Sequence, residues 1–253
     1  MDVYSNEDGT KTAYFYNEPI RYEKIVDGHI TYADIDNSIV YINNKSSKYA
    51  YKNAANAFDV LMPSRLDTKT GVCISQDHFA IEIMPESAKA CKGTVSKHDS
   101  TVIEYSGVFG DGTSVQYTMT PLGYKEDIIL QKDIGVYEFK FLIKAENVVF
   151  KQKETLIEIY EADSDEHLGK INPVFVYDSG AGTEVGERYS FDSKQEISSI
   201  GDGVWQYTLY VDKAFMQDAL TQYPVYVDPT LVLNGDNTIS DGFILQSLPN
   251  STV

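Results

Sequence analysis

An all-β fold built of antiparallel strands packed as a β-sandwich is the architecture the sequence predicts, and three observations predict it. Val, Ile, Thr, Tyr and Phe make up 89 of the 253 residues, while Leu and Ala supply only 13 and 14. Branched and aromatic side chains suit a pleated, half-buried surface. Apolar and polar residues alternate with period two in segment after segment, and Gly, Asp, Asn or Pro bounds each segment. That is the pattern of strands with one face on a core and one in water.

The strands can be taken in chain order. Residues 79–83 place Phe79, Ile81 and Ile83 on one face, with Ala80 and Glu82 on the other. Residues 114–120 turn Val115, Tyr117 and Met119 inward against Gln116 and Thr118. Similar alternation runs through 136–143 and 156–160, and 204–211 holds Trp205, Tyr207, Leu209 and Val211 in phase. The Asp-Gly pairs in GDGT (110–113) and GDGV (201–204) read as hairpins or tight corners, because they supply positive φ at little cost. The polar EADSDEHLGK between Tyr160 and Ile171 reads as an exposed hairpin tip. Helix is expected to be scarce: a short turn capped by Asp212 and running towards Gln222, stopped by Pro224, and a second short helix or coil over 53–59.

Charge narrows the partners. Lys plus Arg number 21 against 38 Asp plus Glu, a net charge of −17. Such a surface repels phosphate backbones and anionic lipid, so nucleic acid is excluded as a partner. No apolar run reaches the 18 or so residues a membrane span needs. The opening MDVYSNEDGTKT lacks the basic and apolar segments of a signal peptide.

Catalytic and metal chemistry finds little footing. DSDEHLG begins like a calcium loop with Asp163 and Asp165, but Leu168 stands where the loop needs Gly and Val174 where it needs Glu. His29, His78, His98 and His167 show no paired ligand spacing. GxSxG, a phosphate-cradling loop and GxGxxG before a helix are missing. SGAG at 179–182, preceded by Asp178, reads as a loop. No catalytic residue, metal ligand or cofactor is therefore assigned. Cys73 and Cys91 either pair in one disulfide or sit apart as two small buried hydrophobes, the second being favoured. Nineteen tyrosines raise a carbohydrate-binding alternative, since aromatic faces stack on sugar rings. Tyr117, Tyr137 and Tyr207 fit sheet packing with their hydroxyls in water, leaving Tyr14, Tyr16 and Tyr22 as the candidates for an exposed binding surface.

Five phrases in order carry a resemblance. AYFYNEPIRYEKIVDGHITYADIDNSI holds a Pro-x-x-Tyr phrase, a short turn and then Ile35, Asp36 and Asn37. YKNAANAFDVLMPSRL supplies Tyr51, Asn53, Asn56, Phe58, Val60 and Pro63. VFGDGTSVQYTMTPLGYKEDIIL supplies Tyr117, Gly123, Lys125 and Glu126, and INPVFVYDSGAG runs from Pro173 to Asp178 and a glycine turn. YPVYVDPTL (223–231) leads into NTISDGFILQSLPNSTV. Together these resemble the region before the repeats in large secreted bacterial wall-associated proteins of the RHS/YD-repeat type, running into the start of a DNRLRE domain. The resemblance implies an extracellular, secreted or surface-attached, non-enzymatic β module whose partners are other modules of the same polypeptide, in a context that includes toxin delivery. The expected organisation is a first lobe over 1–94, a second sandwich lobe over 95–233 and the start of a DNRLRE-like module over 234–253. Two alternatives stand beside it: a module binding cell-wall or host glycan, and a glycan-active enzyme with a carboxylate pair.

Overall fold

The computed structural model describes residues 2–14 and 18–234. Strand accounts for 55% and helix for 2%, and the strands form large antiparallel sheets packed on one another, as alternation and composition predict.

The first sheet has eight strands in the order Lys194–Gly201, Val204–Tyr210, Glu138–Glu146, Phe79–Pro85, Val72–Gln76, Asp59–Met62, Tyr51–Ala55 and Asp36–Tyr41. The second has twelve. Its main path runs Val148–Lys153, Leu156–Glu161, His167–Ile171, Leu231–Leu233, Gly123–Leu130, Thr113–Thr120, Val102–Ser106, Cys91–Val95 and Arg65–Leu66. Off that path, Val225–Asp228 pairs with Gly123–Leu130 on one side and Phe175–Asp178 on the other, and Phe175–Asp178 pairs in turn with Tyr189–Ser190. Two separate hairpins, Asp2–Ser5 with Lys11–Tyr14 and Arg21–Val26 with His29–Asp34, precede the sheets in the chain.

Inward residues of both sheets join one continuous core. Val60, Ile74, Ile81, Phe141 and Leu209 come from the first sheet, and Ile103, Val115, Ile128, Ile157 and Val176 from the second. Each fully buried side chain of this size contributes roughly 1.5–3 kcal/mol, so the period-two pattern sets the register of both sheets. At 201–204 the expected hairpin forms: Gly201 pairs with Val204, and Asp202 and Gly203 take φ of 50° and 71°. The polar tip expected after Tyr160 is the turn between Leu156–Glu161 and His167–Ile171, with residues 162–166 exposed.

Four expectations change. The boundary at residue 94 falls inside the Cys91–Val95 strand, and strands from both sides of it share each sheet: Phe79–Pro85 pairs with Glu138–Glu146, for example. The described chain from 36 onwards is therefore not divided there. Residues 53–59 form a strand and a turn rather than a helix, because the buried Asn53 side chain does the work of a ladder: its Nδ2 donates to the Phe58 carbonyl (3.0 Å) and its Oδ1 accepts from the Val60 N–H (2.8 Å). The helix capped by Asp212 spans only Lys213–Gln217. Asp218 then turns extended (ψ 132°) and its side chain accepts from the Leu220 N–H, which leaves Leu220 exposed. Glu82, expected in water, is buried, where Lys48 Nζ reaches both its oxygens (3.0 and 2.9 Å) and the Gly71 N–H donates to one of them (3.2 Å).

Removing the Asn53 bridge leaves a buried N–H and a buried carbonyl without partners. Asn53→Ala is expected to lower unfolding free energy by about 1–3 kcal/mol, seen as an earlier midpoint in urea at an unchanged slope.

Candidate binding face

The Phe175–Asp178 strand turns Val176 and Asp178 to the buried side and Phe175 and Tyr177 to the outer side. Its registers align Tyr177 with Tyr226 on one neighbour and with Tyr189 on the other. Three tyrosines thus form a row across three strands. The rings of Tyr177 and Tyr226 stack at 4.8 Å and 9°, and Tyr189 lies 6.3 Å from Tyr177 at 32°. Phe175 stacks 5.6 Å from Tyr177, and Phe191 lies 5.9 Å from Phe175. Exposure rises towards the sheet edge: Phe175, Tyr177 and Tyr226 are half-buried, while Tyr189 is 53% and Phe191 76% exposed.

On the opposite flank, Ile129 aligns with Tyr226, so alternation places Lys125 and Asp127 on the same outer face. Lys125 Nζ bridges Asp127 (3.0 Å) and Asp228 (3.3 Å) and donates to Tyr177 Oη (2.9 Å), 5.0 Å from the centre of the Tyr177 ring. Burial works against the Lys125 ammonium, but the Tyr177 hydroxyl and the two carboxylates outweigh it and hold its pKa above the usual lysine range. Burial pushes Asp127 up, with Lys125 opposing, and pushes the Tyr177 phenol up to about 12. A permanently protonated amine tied to two carboxylates is a clamp that orients Tyr177, not a nucleophile.

The loop at 179–188 that delivers Tyr189 is tied down by Asp178. Its Oδ1 accepts from the Gly180 and Arg188 N–H groups, and its Oδ2 from the Gln222 N–H, each at 3.0 Å. Burial would raise this carboxyl, yet the three donors hold it below the ordinary range. A Cβ at Gly180 would sit 2.2 Å from the Gly186 carbonyl oxygen, so the SGAG glycine serves close backbone approach.

On the inner face, the Glu126 carboxyl is buried in the core beside Tyr117 and Tyr124. Glu126 Oε1 and the hydroxyls of both tyrosines find no hydrogen-bond partner among the described residues, and the two phenol rings meet edge to face at 5.5 Å. Tyr207 Oη, also buried, donates to Gln195 Oε1 (2.8 Å). The hydroxyls of Tyr117 and Tyr207 are thus buried rather than wet; that of Tyr137 meets Asp133 and Gln217 at the surface. Burial, and then the charges of Asp127 and Asp228, raise Glu126 to about 8.

The residues singled out from sequence lie elsewhere. Tyr22 stands half-buried on Arg21–Val26 in a separate two-stranded sheet, Tyr14 ends the Lys11–Tyr14 strand, and Tyr16 lies outside the described residues, as does the DNRLRE-like segment beyond 234. Cys73 and Cys91 are buried, unbridged thiols in different sheets. Asp163 and Asp165 are exposed at their hairpin tip, Asp165 paired with Lys151 (2.6 Å), and His78 Nε2 is 3.2 Å from Glu161. Among the described residues no three His, Cys, Asp or Glu side chains are placed to hold a metal, and no helix is long and apolar enough to cross a membrane. The sequence reasoning missed the aromatic face, although F-V-Y at 175–177 and Y-S-F at 189–191 carry its alternating signature. Comparison of the chain with protein-family models, curated proteins and solved structures gives no match.

Glu126 dictates a pH dependence. Between its ordinary value of 4.5 and about 8, the folded protein keeps a proton that the unfolded chain releases. This group's contribution is complete below that window and falls as pH rises through it, by up to about 1.4 kcal/mol per unit. Glu126→Gln, neutral at every pH, is expected to be more stable than the parent at pH 8, with the gap closing towards pH 4, in urea unfolding across a pH series.

Proposed function

We propose that this chain is a non-catalytic structural and interaction module of a secreted or cell-surface bacterial protein, with the aromatic face as its contact surface and the adjoining modules of the same polypeptide as its neighbours. The observation that carries the reading is the row of stacked rings ending in the exposed Tyr189 and Phe191. Exposing rings of this size is costly in water and is recovered when a partner covers them. The ties of Lys125 to Asp127 and Asp228 support a structural role for those carboxylates. Residues from the phrases of the RHS/YD-repeat-type resemblance hold structural positions, as expected of a module without catalytic side chains: Asn53 braces a hairpin, Asn56 Nδ2 donates to Asn37 Oδ1 (3.2 Å) and the Pro121 carbonyl (3.1 Å), and the Pro63 carbonyl accepts from the buried Tyr105 hydroxyl (2.7 Å).

Fractionation of the parent bacterium with an antibody to this chain tests the reading. The protein is expected in the culture fluid or the cell-wall fraction, and recovery in the cytoplasm alone would overturn it. The purified chain is expected to release no reducing ends from a panel of wall and plant polysaccharides; turnover of any one would sink the non-catalytic assignment.

A further inference from the structure

Beside the exposed end of the aromatic face lies a cleft of about 410 Å³, whose lining includes Arg188, Tyr189, Phe191, Asp192, Asp212 and Asp218. That size suits a small ligand or a stretch of a chain-like one. Its polar rim is held in place before any ligand arrives. Arg188 Nη2 binds Asp218 (2.8 Å), its Nη1 donates to Thr221 Oγ1 (3.2 Å), and its guanidinium lies 5.5 Å from the centre of the Phe215 ring. Asp212 accepts from Ser190 Oγ (2.5 Å) and from the N–H groups of Ala214 and Phe215. Tyr189 Oη donates to Glu187.

We propose that the Tyr189–Phe191 edge and this cleft bind a neutral, hexose-based glycan. The inference rests on the reading of the aromatic face as the contact surface and names its ligand. A pyranose ring has an apolar C–H face that covers an exposed aromatic ring and a rim of hydroxyls that both donate and accept. Tyr189 at the strand edge and Phe191 just beyond it, stacked beside the neighbouring Tyr177 and Phe175, offer exposed rings for the first. Carboxylates and a guanidinium fixed at the rim offer acceptors and donors for the second. Charge selects among sugars: one guanidinium faces three carboxylates in the cleft, and the whole chain carries −17. A uronic acid or phosphate polymer is repelled, whereas a neutral polyol loses nothing. A cationic partner would find two of the three carboxylates already engaged, Asp212 by its helix and Ser190, and Asp218 by Arg188.

Affinity electrophoresis tests this with the intact chain. Native gels containing β-glucan, galactomannan or xyloglucan are compared with gels containing polygalacturonate, and polylysine binding is titrated separately. At least one neutral polysaccharide is expected to retard the protein, and polygalacturonate is not. Phe191→Ala and Tyr189→Ala are expected to weaken the binding at least about tenfold. Both variants should keep the parent's circular dichroism spectrum, because the core beneath the rings is untouched, and Ile200→Ala, exposed on the other sheet, should bind like the parent. Three outcomes overturn the proposal: no retardation by any neutral polysaccharide, retardation that survives both aromatic substitutions, or binding to polylysine alone. A wall-located protein that ignores every neutral glycan defeats this inference and leaves the module reading standing, whereas cytoplasmic recovery defeats that reading itself.

Discussion

The double pairing of Val225–Asp228 is the constraint on which the outer face depends. One edge of this four-residue strand completes the ladder of Gly123–Leu130, and the other supports Phe175–Asp178, which in turn supports the two-residue Tyr189–Ser190 edge. Because side chains alternate with period two, these registers decide at once which residues reach the core and which stack outside. Val225 and Val227 go in with Val176; Tyr226 comes out beside Tyr177, and Asp228 comes out within reach of Lys125. A slip of one residue would bury a tyrosine row and expose a valine row. The register is therefore held by the core below and by the stacked rings and the lysine clamp above.

Polar groups inside this protein are mostly paid for with backbone partners. Asn53 and Asp178 each satisfy backbone groups that no ladder reaches. Gln195 Nε2 donates to the carbonyls of Thr155 (2.7 Å) and Asn172 (3.0 Å) while its Oε1 receives the Tyr207 hydroxyl (2.8 Å). Side chains of this kind fix one arrangement of loops over an otherwise interchangeable apolar interior. Glu126 departs from the rule. It sits on the same strand as the satisfied Lys125 and Asp127 but faces the core, where the neutral acid is the form that burial tolerates.

Alternation was the legible part of the sequence. Val115, Tyr117 and Met119, then Phe139, Phe141 and Ile143, are buried as period two requires, and Asp202-Gly203 makes its turn, because these choices depend only on neighbours along the chain. Asp212 was readable as a cap for the same reason. Illegible features depend on which strand lies beside which. Glu82 reads as a wet residue until Lys48, distant in sequence, is brought over it. Asn53, just ahead of AANAF, reads as a helix or coil until the Phe58 carbonyl and Val60 N–H need a partner. The aromatic face was missed because Tyr177, Tyr189 and Tyr226 come from three separate segments, and only pairing makes them one surface.

The sheets that ignore residue 94 also constrain how the molecule comes into being. Phe79–Pro85 needs Glu138–Glu146 for one of its edges, and Tyr124 meets its partner Leu231 only after roughly a hundred further residues have emerged. A chain that appears from its N-terminus onwards therefore carries open strand edges for most of its synthesis. Assembly is gated by the arrival of the last strands, so the segment that closes the second sheet also sets the moment at which the whole becomes safe from mispairing.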